Sequence, residues 1–307
     1  MLPEFFNSAL MESETSREPS RQAYSYDSNS SGIFVVSIGG SLLFEQGSPR
    51  ADSIKRIAST ISSLHSQGYK FALVVGGGAL ARDFIETARQ LGSNNFELDE
   101  IGIFATRLNA MLFIEALENS FHEVLTDIKK SKAIIDSGKI PVFGGLISGV
   151  TTDFDAALIA EYLNASFVNL SNVEGIFNAD PKTNPDAELH RELSHNGLLS
   201  ILVKLESRPG QNLIIDIPAV TVLKRSKITA FFLNGSNMQN FESAIRGESF
   251  DGTIVSANPD VSETEIQEDS QEPEKKHGKR KSSGTAKKRK KPRNDDSDAI
   301  AMGLRLH

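Results

Sequence analysis

The sequence predicts an α/β fold in which helices cover both faces of a largely parallel β-sheet. Two observations predict this class: short, nearly continuous apolar runs recur along the chain, and helical patterns lie between them. The runs lack the alternation of a half-exposed strand, so they are typical of strands that are buried on both faces. They are "GIFVVSI", "KFALVVG", "IPVFGG", "ASFVNLS" and "ITAFFLNG".

The segments between these runs carry apolar residues at the spacing of a helix that buries one face. The first predicted helix follows "GIFVVSI" and has apolar positions at Ile54, Ile57, Ala58, Ile61 and Leu64. The second follows "KFALVVG" and has Ala81, Phe84, Ile85, Ala88 and Leu91. The third covers residues 108–117. Parallel strands need such crossover connections, so the helices and the parallel sheet support each other.

The composition excludes several classes of protein. The chain has 307 residues, 39% of them hydrophobic, and no cysteine, which excludes disulfides and thiolate metal sites. It has no apolar run near the roughly 18 residues that a membrane span needs. The start "MLPEFFNSALM" lacks the basic region of a secretory signal, so we expect a cytoplasmic protein with no membrane contact.

The charges divide the chain into three parts. Residues 1–30 contain seven serines and no periodicity, which predicts a disordered arm. Residues 258–274 contain seven acidic residues and no basic one, and 275–293 contain eleven Lys or Arg, so we predict a disordered tail at 258–307. The folded unit is therefore 31–257. The basic run is typical either of a solvated tail or of a segment that contacts nucleic acid, without the interleaved aromatics that stack on bases.

Two strand ends carry glycine-rich turns that suit a phosphate. The first ends in Gly39, Gly40 and Ser41, and the second, "GGG" at 76–78, runs into a helix that carries Arg82. Glycines without Cβ and the N–H groups of a helix start let phosphate oxygens approach the backbone, and a guanidinium can bind them bidentately. A tight turn with no ligand is the alternative. Neither turn matches a P-loop or a dinucleotide fingerprint.

Two further polar turns follow later strands. Thr151, Thr152 and Asp153 stand just before a predicted helix, where their side chains can cap the helix or bind a ligand. The segment "NLSNVEGIFNADPKTNP" is a long polar loop, and nothing in its composition alone predicts a site.

In order, "IGGS", "GGGALAR", "DEIGIFATRLNAML", "IPVFGG" with "TTD", and "SNVEGIFNADPKTNP" resemble the amino acid kinase superfamily, most closely archaeal-type UMP kinases. The similarity covers about residues 33–256. It implies a three-layer α/β/α sandwich around a mostly parallel sheet of about eight strands, with an acceptor half at about 31–150 and an ATP half at about 151–257. It also implies transfer of the γ-phosphoryl group of Mg-ATP to UMP in pyrimidine nucleotide biosynthesis, with ATP and Mg²⁺ as cofactors, and a homohexamer.

The resemblance also assigns roles to residues of this chain, with no metal ligand among them. The positions implied in catalysis are Gly40, Ser41, Arg82 and Asp153. Those implied at ATP and the transferring phosphates are Ser37, Gly39, Gly40, Ser41, Gly78, Arg82, Ser171, Asn172, Phe177 and Asp180. Those implied at UMP are Gly77, Asp99, Leu146, Gly149, Thr151 and Thr152. Arg107 and Asn109 lie in the helix that the family uses in subunit packing.

The chain departs from the family pattern at positions that matter for chemistry. Ser37 stands where many members have a lysine, and Thr221, five residues after Asp216, replaces another. Leu146 and Val150 make the acceptor loop more apolar than usual. Three functions therefore stay open: an active UMP kinase, a divergent protein that binds nucleotide or oxyanion as a sensor or storage scaffold, and a kinase for another small phosphate or carboxylate.

Overall fold

The computed structural model describes residues 32–45, 47–179, 181, 184, 186–206 and 214–257. The predicted N-terminal arm at 1–30 and the predicted tail from 258 onward lie outside the described residues, and so does Asp180. The strands are β1 (Ile33–Ile38), β2 (Phe44–Glu45), β3 (Ser48–Pro49), β4 (Lys70–Val75), β5 (Ser120–Leu125), β6 (Ile140–Phe143), β7 (Ser166–Ser171), β8 (Glu192–Ser194), β9 (Ala230–Asn234) and β10 (Thr253–Ser256). The helices are α1 (Ala51–Ser66), α2 (Gly78–Gln90), α3 (Asn95–Ala116), α4 (Ser131–Asp136), α5 (Thr152–Leu163), α6 (His195–Glu206), α7 (Ile217–Arg225) and α8 (Met238–Arg246).

The main sheet of the described residues has eight strands in the order β5-β6-β4-β1-β7-β9-β10-β8. Every neighbouring pair is parallel except β9 and β10, which are antiparallel. All five predicted strands are present, and the predicted mostly parallel eight-stranded sheet is confirmed. The short strands β2 and β3 form a separate hairpin.

The two faces of the sheet bury different sets of side chains. Along β1, Val36 and Ile38 join a core with α1, α3 and α8, whereas Ile33 and Val35 join a core with α4, α5, α6 and α7. Because every residue of β1 is buried, the strand reads as a continuous apolar run. The helices on both faces make the three layers that the sequence predicted.

Capping residues fix where the helices nearest the glycine turns begin. Asn94 caps α3 in a capping box with Glu97, Thr151 caps α5 by accepting from the Phe154 N–H, and Asp216 caps α7 by accepting from the Ala219 N–H. Helix α5 therefore starts at Thr152, and Asp153 lies in its first turn rather than before it.

Candidate active site

The two glycine turns contact each other at the carboxyl edge of the sheet. They follow the neighbouring strands β1 and β4, and the Gly76 N–H donates to the Ile38 carbonyl at 2.9 Å. A Cβ on Gly40 would lie 2.0 Å from the Gly78 nitrogen, and one on Gly78 would lie 2.4 Å from the Gly40 oxygen. Gly78 also has φ +61°, which favours glycine. The crossing therefore requires glycine on both sides.

The two glycine turns meet at the place in the sheet where open α/β folds bind ligands. In the sheet, β4 lies on one side of β1 and β7 lies on the other. The connection after β1 therefore leads to one side of the sheet, and the connection after β7 leads to the other. Ligands of open α/β sheets bind outside the carboxyl ends of strands at such a point. The Gly39 N–H, which donates to the Leu170 carbonyl at 2.8 Å, ties the first glycine turn to the end of β7.

Asn109, on α3, holds the second glycine turn in place through its side-chain amide. Its side chain is 1% exposed, and its Nδ2 donates to the carbonyl oxygens of Gly76 at 2.9 Å and Gly77 at 3.0 Å. Sequence reasoning missed this role, although an asparagine among the apolar positions of α3 was a signal for it. A buried amide with two backbone acceptors fixes the turn in one conformation.

Asp153 lies at the centre of a polar cluster beside the first glycine turn. Its Oδ1 accepts from the Ser37 hydroxyl at 2.6 Å and from the Asn169 Nδ2 at 3.0 Å. Burial raises the pKa of the Asp153 carboxyl to about 6; the Ser37 hydrogen bond lowers it, and the charge of Asp216 raises it. Asn169 was missed from the sequence because it sits inside an apolar run. In the part of the chain that the structure describes, its buried Oδ1 accepts no hydrogen bond.

Hydroxyl groups occupy both positions where the family pattern has lysines. Ser37 is buried and its hydroxyl is directed to Asp153, whereas Thr221 is exposed on α7 and donates to the Ile217 carbonyl at 2.9 Å. Two positive groups adjoin the second glycine turn: the N-terminus of α2, which begins at Gly78, and Arg82, which is exposed in the second turn of that helix. Among the described residues, Arg82 takes part in no ion pair, so it is available to an anion.

The loop from 144 to 151 leaves β6 and leads into α5. The Gly145 N–H donates to Thr106 Oγ1 at 2.6 Å, and the Leu146 N–H donates to Asp155 Oδ2 at 2.8 Å. Burial raises the pKa of Asp155 to about 6, although the Leu146 hydrogen bond lowers it. At the end of the loop, the Thr151 hydroxyl donates to Asp216, which joins the N-termini of α5 and α7. The predicted UMP residues Leu146, Gly149 and Thr151 lie on this loop, and Thr152 follows it as the first residue of α5.

The remaining predicted residues lie on neighbouring elements. Asp99 is half-buried in α3, Ser171 ends β7, and Asn172 is exposed directly after it. Phe177 forms an isolated antiparallel bridge with Leu189, which fixes the loop after β7.

No cluster of three or more His, Asp or Glu suited to a metal ion occurs in the described ranges. None of the helices within those ranges is long and apolar enough to span a bilayer.

Comparison with known proteins assigns the chain to a family. The sequence model of the amino acid kinase family matches residues 32–234. The chain belongs to the amino acid kinase family. This amino acid kinase is 39% identical over 222 residues to the uridylate kinase of Archaeoglobus fulgidus, and the alignment covers 72% of this chain and 98% of that protein. It is 38% identical over 223 residues to the uridylate kinase of Haloarcula marismortui, with coverage of 72% and 97%.

Solved structures give the same fold. The crystal structure of the Archaeoglobus fulgidus uridylate kinase superimposes with a TM-score of 0.66 and covers 73% of this amino acid kinase and 99% of that chain. The Bacillus anthracis UMP kinase, 24% identical, superimposes with a TM-score of 0.63 over 74% and 96% of the two chains and supports the fold alone. Both predictions, of the family and of the α/β/α architecture, are confirmed.

Proposed function

We propose that this amino acid kinase transfers the γ-phosphoryl group of Mg-ATP to the phosphate of UMP, giving UDP and ADP. Relatives at 38% and 39% identity over nearly their whole length are uridylate kinases. The observation that carries the proposal is the close backbone contact between the two glycine turns beside the α2 N-terminus, because it forms a cradle of backbone groups with no side chain between them. Such a cradle fits phosphate oxygens.

The chemistry of this transfer suits the residues present. The attacking oxygen of UMP is already anionic at neutral pH, so the chain needs no general base, and catalysis rests on alignment and charge neutralisation. Gly40, Ser41 and Gly78 would hold the transferring phosphoryl group through the backbone, and Arg82 would neutralise its charge. Gly39 would fix the turn against β7, because its N–H donates to the Leu170 carbonyl. Mg²⁺ that arrives with ATP supplies further neutralisation at the phosphate oxygens.

Each half of the cradle would hold one substrate. On the acceptor side, Gly77, Asp99, Leu146, Gly149, Thr151 and Thr152 would hold UMP. On the donor side, Ser171, Asn172, Phe177 and Asp180 would hold the base and ribose of ATP.

Asp153 and Ser37 would act by holding neighbouring elements of the site in place. Because Asp153 accepts hydrogen bonds from Ser37 on β1 and from Asn169 on β7, it joins the start of α5 to the two central strands. We assign it to the orientation of the first glycine turn and of solvent near the metal.

A coupled ADP-release assay tests the proposed function. The native chain is incubated with Mg-ATP and a panel of acceptors: UMP, CMP, AMP, isopentenyl phosphate and a small carboxylate. We expect turnover with UMP above all others, and its loss in a Gly40→Asp variant, whose new side chain would collide with the backbone of Gly78. Native turnover with another acceptor would identify a different kinase. Binding of UMP without turnover would identify a nucleotide-binding relative that has lost its chemistry.

We also propose a homohexamer, supported by an exposed apolar face on α2 and α3. Five large side chains of this face have exposed fractions between 53% and 65%: Phe84, Phe96, Phe104, Leu108 and Met111. Clusters of this kind mark interfaces rather than free surface. Sedimentation equilibrium should give a mass about six times the 33.4 kDa of one chain, and Leu108→Asp should lower it. A monomer in the native protein would refute the proposal.

For the cell we propose a cytoplasmic role in pyrimidine nucleotide biosynthesis, with a nucleic-acid contact through the basic run at 275–293. A stretch with eleven cations neutralises several phosphates and binds in a salt-sensitive way. Deletion of 258–307 should abolish retention on a polyanion resin at low salt and leave the melting temperature unchanged. Retention that survives the deletion would refute the contact.

A further inference from the structure

The acceptor loop is firmly held where it leaves β6. Its Gly145 is bonded on both sides: the N–H donates to Thr106 Oγ1 at 2.6 Å, and the carbonyl accepts from Arg107 Nε at 3.2 Å. A Cβ on Gly144 would lie 2.7 Å from the backbone nitrogen of Arg107, so the loop lies against the backbone of α3. With the Leu146 N–H bonded to Asp155, this first part of the loop has a fixed position.

The tip of the loop depends on a different contact. Ser148 is the single polar side chain in "LISGV" at 146–150, and its hydroxyl donates to Glu100 Oε1 at 2.5 Å. Both residues are partly buried, whereas Ile147 and Val150 on either side are 47% and 37% exposed. Gly149 follows with φ +85°, which lets the chain turn back toward α5. A hydrogen bond from a hydroxyl to a carboxylate is among the strong kinds.

The partner of Ser148 lies next to a residue of the proposed acceptor site. Glu100 directly follows Asp99 in α3, and Asp99 is the residue proposed to hold the ribose of the acceptor. The Ser148 contact therefore joins the tip of the loop to the turn of α3 that carries Asp99. Its loss would leave a partly buried carboxylate without this partner and would free the tip, whose other side chains are apolar.

We infer that the Ser148–Glu100 hydrogen bond is a latch that holds the acceptor loop in place over the bound nucleoside monophosphate. The inference rests on the proposed function of the same site. Ser148 and Glu100 are positioning residues, because they act through the position of the loop rather than on the phosphates. The latch affects acceptor binding and leaves ATP binding unchanged.

Steady-state kinetics separate this role from a merely structural one. Ser148→Ala and Glu100→Ala should each raise KM for UMP about tenfold, with KM for ATP within twofold of the native value, because a charge-assisted hydrogen bond is lost. The double variant should be no worse than either single variant, since both remove the same contact. Glu100→Gln keeps an acceptor oxygen and should recover most of the loss. Ser59→Ala, on the exposed face of α1, is the matched control.

Hydrogen exchange tests the latch independently of turnover. With no ligand present, peptides that cover 147–150 should exchange about tenfold faster in Ser148→Ala than in the native chain. Peptides of α1 should exchange at the same rate in both. If the native chain does not turn over UMP but Ser148→Ala still exchanges faster than the native chain, the latch is supported and the proposed function is refuted. Native UMP turnover with unchanged exchange and unchanged KM in Ser148→Ala would overturn the latch alone. Additive effects in the double variant would also overturn it.

Discussion

A methyl group added at Gly40 should disable the site while leaving the fold in place. In Gly40→Ala the new Cβ would lie 2.0 Å from the Gly78 nitrogen, 2.4 Å from its Cα and 2.8 Å from the Gly77 carbonyl carbon. All three are backbone atoms, so no side chain can rotate away. Since non-bonded heavy atoms prefer about 3.5 Å, the two glycine turns must separate by about 1.5 Å.

The size of that displacement sets the expected loss of activity. A misplacement of about 1 Å at reacting groups costs about 100-fold in rate, so kcat should fall at least about 100-fold. Overpacking of this kind costs about 1–3 kcal/mol of unfolding free energy, which a domain of this size can tolerate. ADP release under saturating UMP and ATP measures the first effect, and urea unfolding measures the second.

Gly197→Ala is the matched control for this substitution. Gly197 lies in the first turn of α6, and a Cβ there would meet Ser194 Oγ at 3.4 Å, an ordinary contact. The variant should keep native kcat and gain up to about 1 kcal/mol, because glycine is unfavourable in helices. Native kcat in Gly40→Ala would refute the reasoning that the cradle is the site of transfer.

Three further predictions follow from the polar contacts of the site. Asn109→Asp, which keeps the shape but loses both donated hydrogen bonds to Gly76 and Gly77, should cost about 1–3 kcal/mol per carbonyl in urea unfolding and lower kcat; unchanged values would contradict the role of Asn109. The pKa of Asp155 is about 6 in the folded chain, against an ordinary value of 3.8, so the folded chain holds this proton more tightly than the unfolded chain. This group therefore lowers the unfolding free energy of the native chain as pH rises from about 4 to 6. The unfolding free energy of Asp155→Asn minus that of the native chain should therefore rise by about 3 kcal/mol between pH 4 and pH 7, and a flat difference would contradict it. Thr221→Lys, compared with the uncharged Thr221→Met, should raise kcat by up to about tenfold because it returns a cation to the first turns of α7; equal kcat in the two variants would show that cationic stabilisation comes from elsewhere.

The sequence predicted the central part of the fold well because those strands are buried on both faces. Runs such as "GIFVVSI" have one structural interpretation when helical patterns separate them. The edge strands were harder: β5, "SFHEVL", has a partly exposed pattern, and β8 has three half-buried residues. Such short or polar segments form strands because a neighbour is already in place, and that information is absent from local periodicity.

The site shows the same division. Each of the two glycine turns was predicted to suit a phosphate, and the structure brings them into backbone contact. Asn109 and Asn169 could not be assigned, since the role of a buried amide depends on the backbone or carboxylate that it meets across the fold. The Ser148–Glu100 contact joins residues 48 positions apart, which no local pattern reveals.

The central claim is that the contact between the glycine turns forms the site of phosphoryl transfer to UMP. Phosphorus NMR of the native chain with Mg-ATP and UMP tests it most directly, because it observes the product itself. We predict that the α and β resonances of UDP appear in equal amount to ADP, and that they are absent with Gly40→Ala at the same enzyme concentration and time. ADP formed together with free phosphate but no UDP, or UDP formed equally by Gly40→Ala, would contradict the claim.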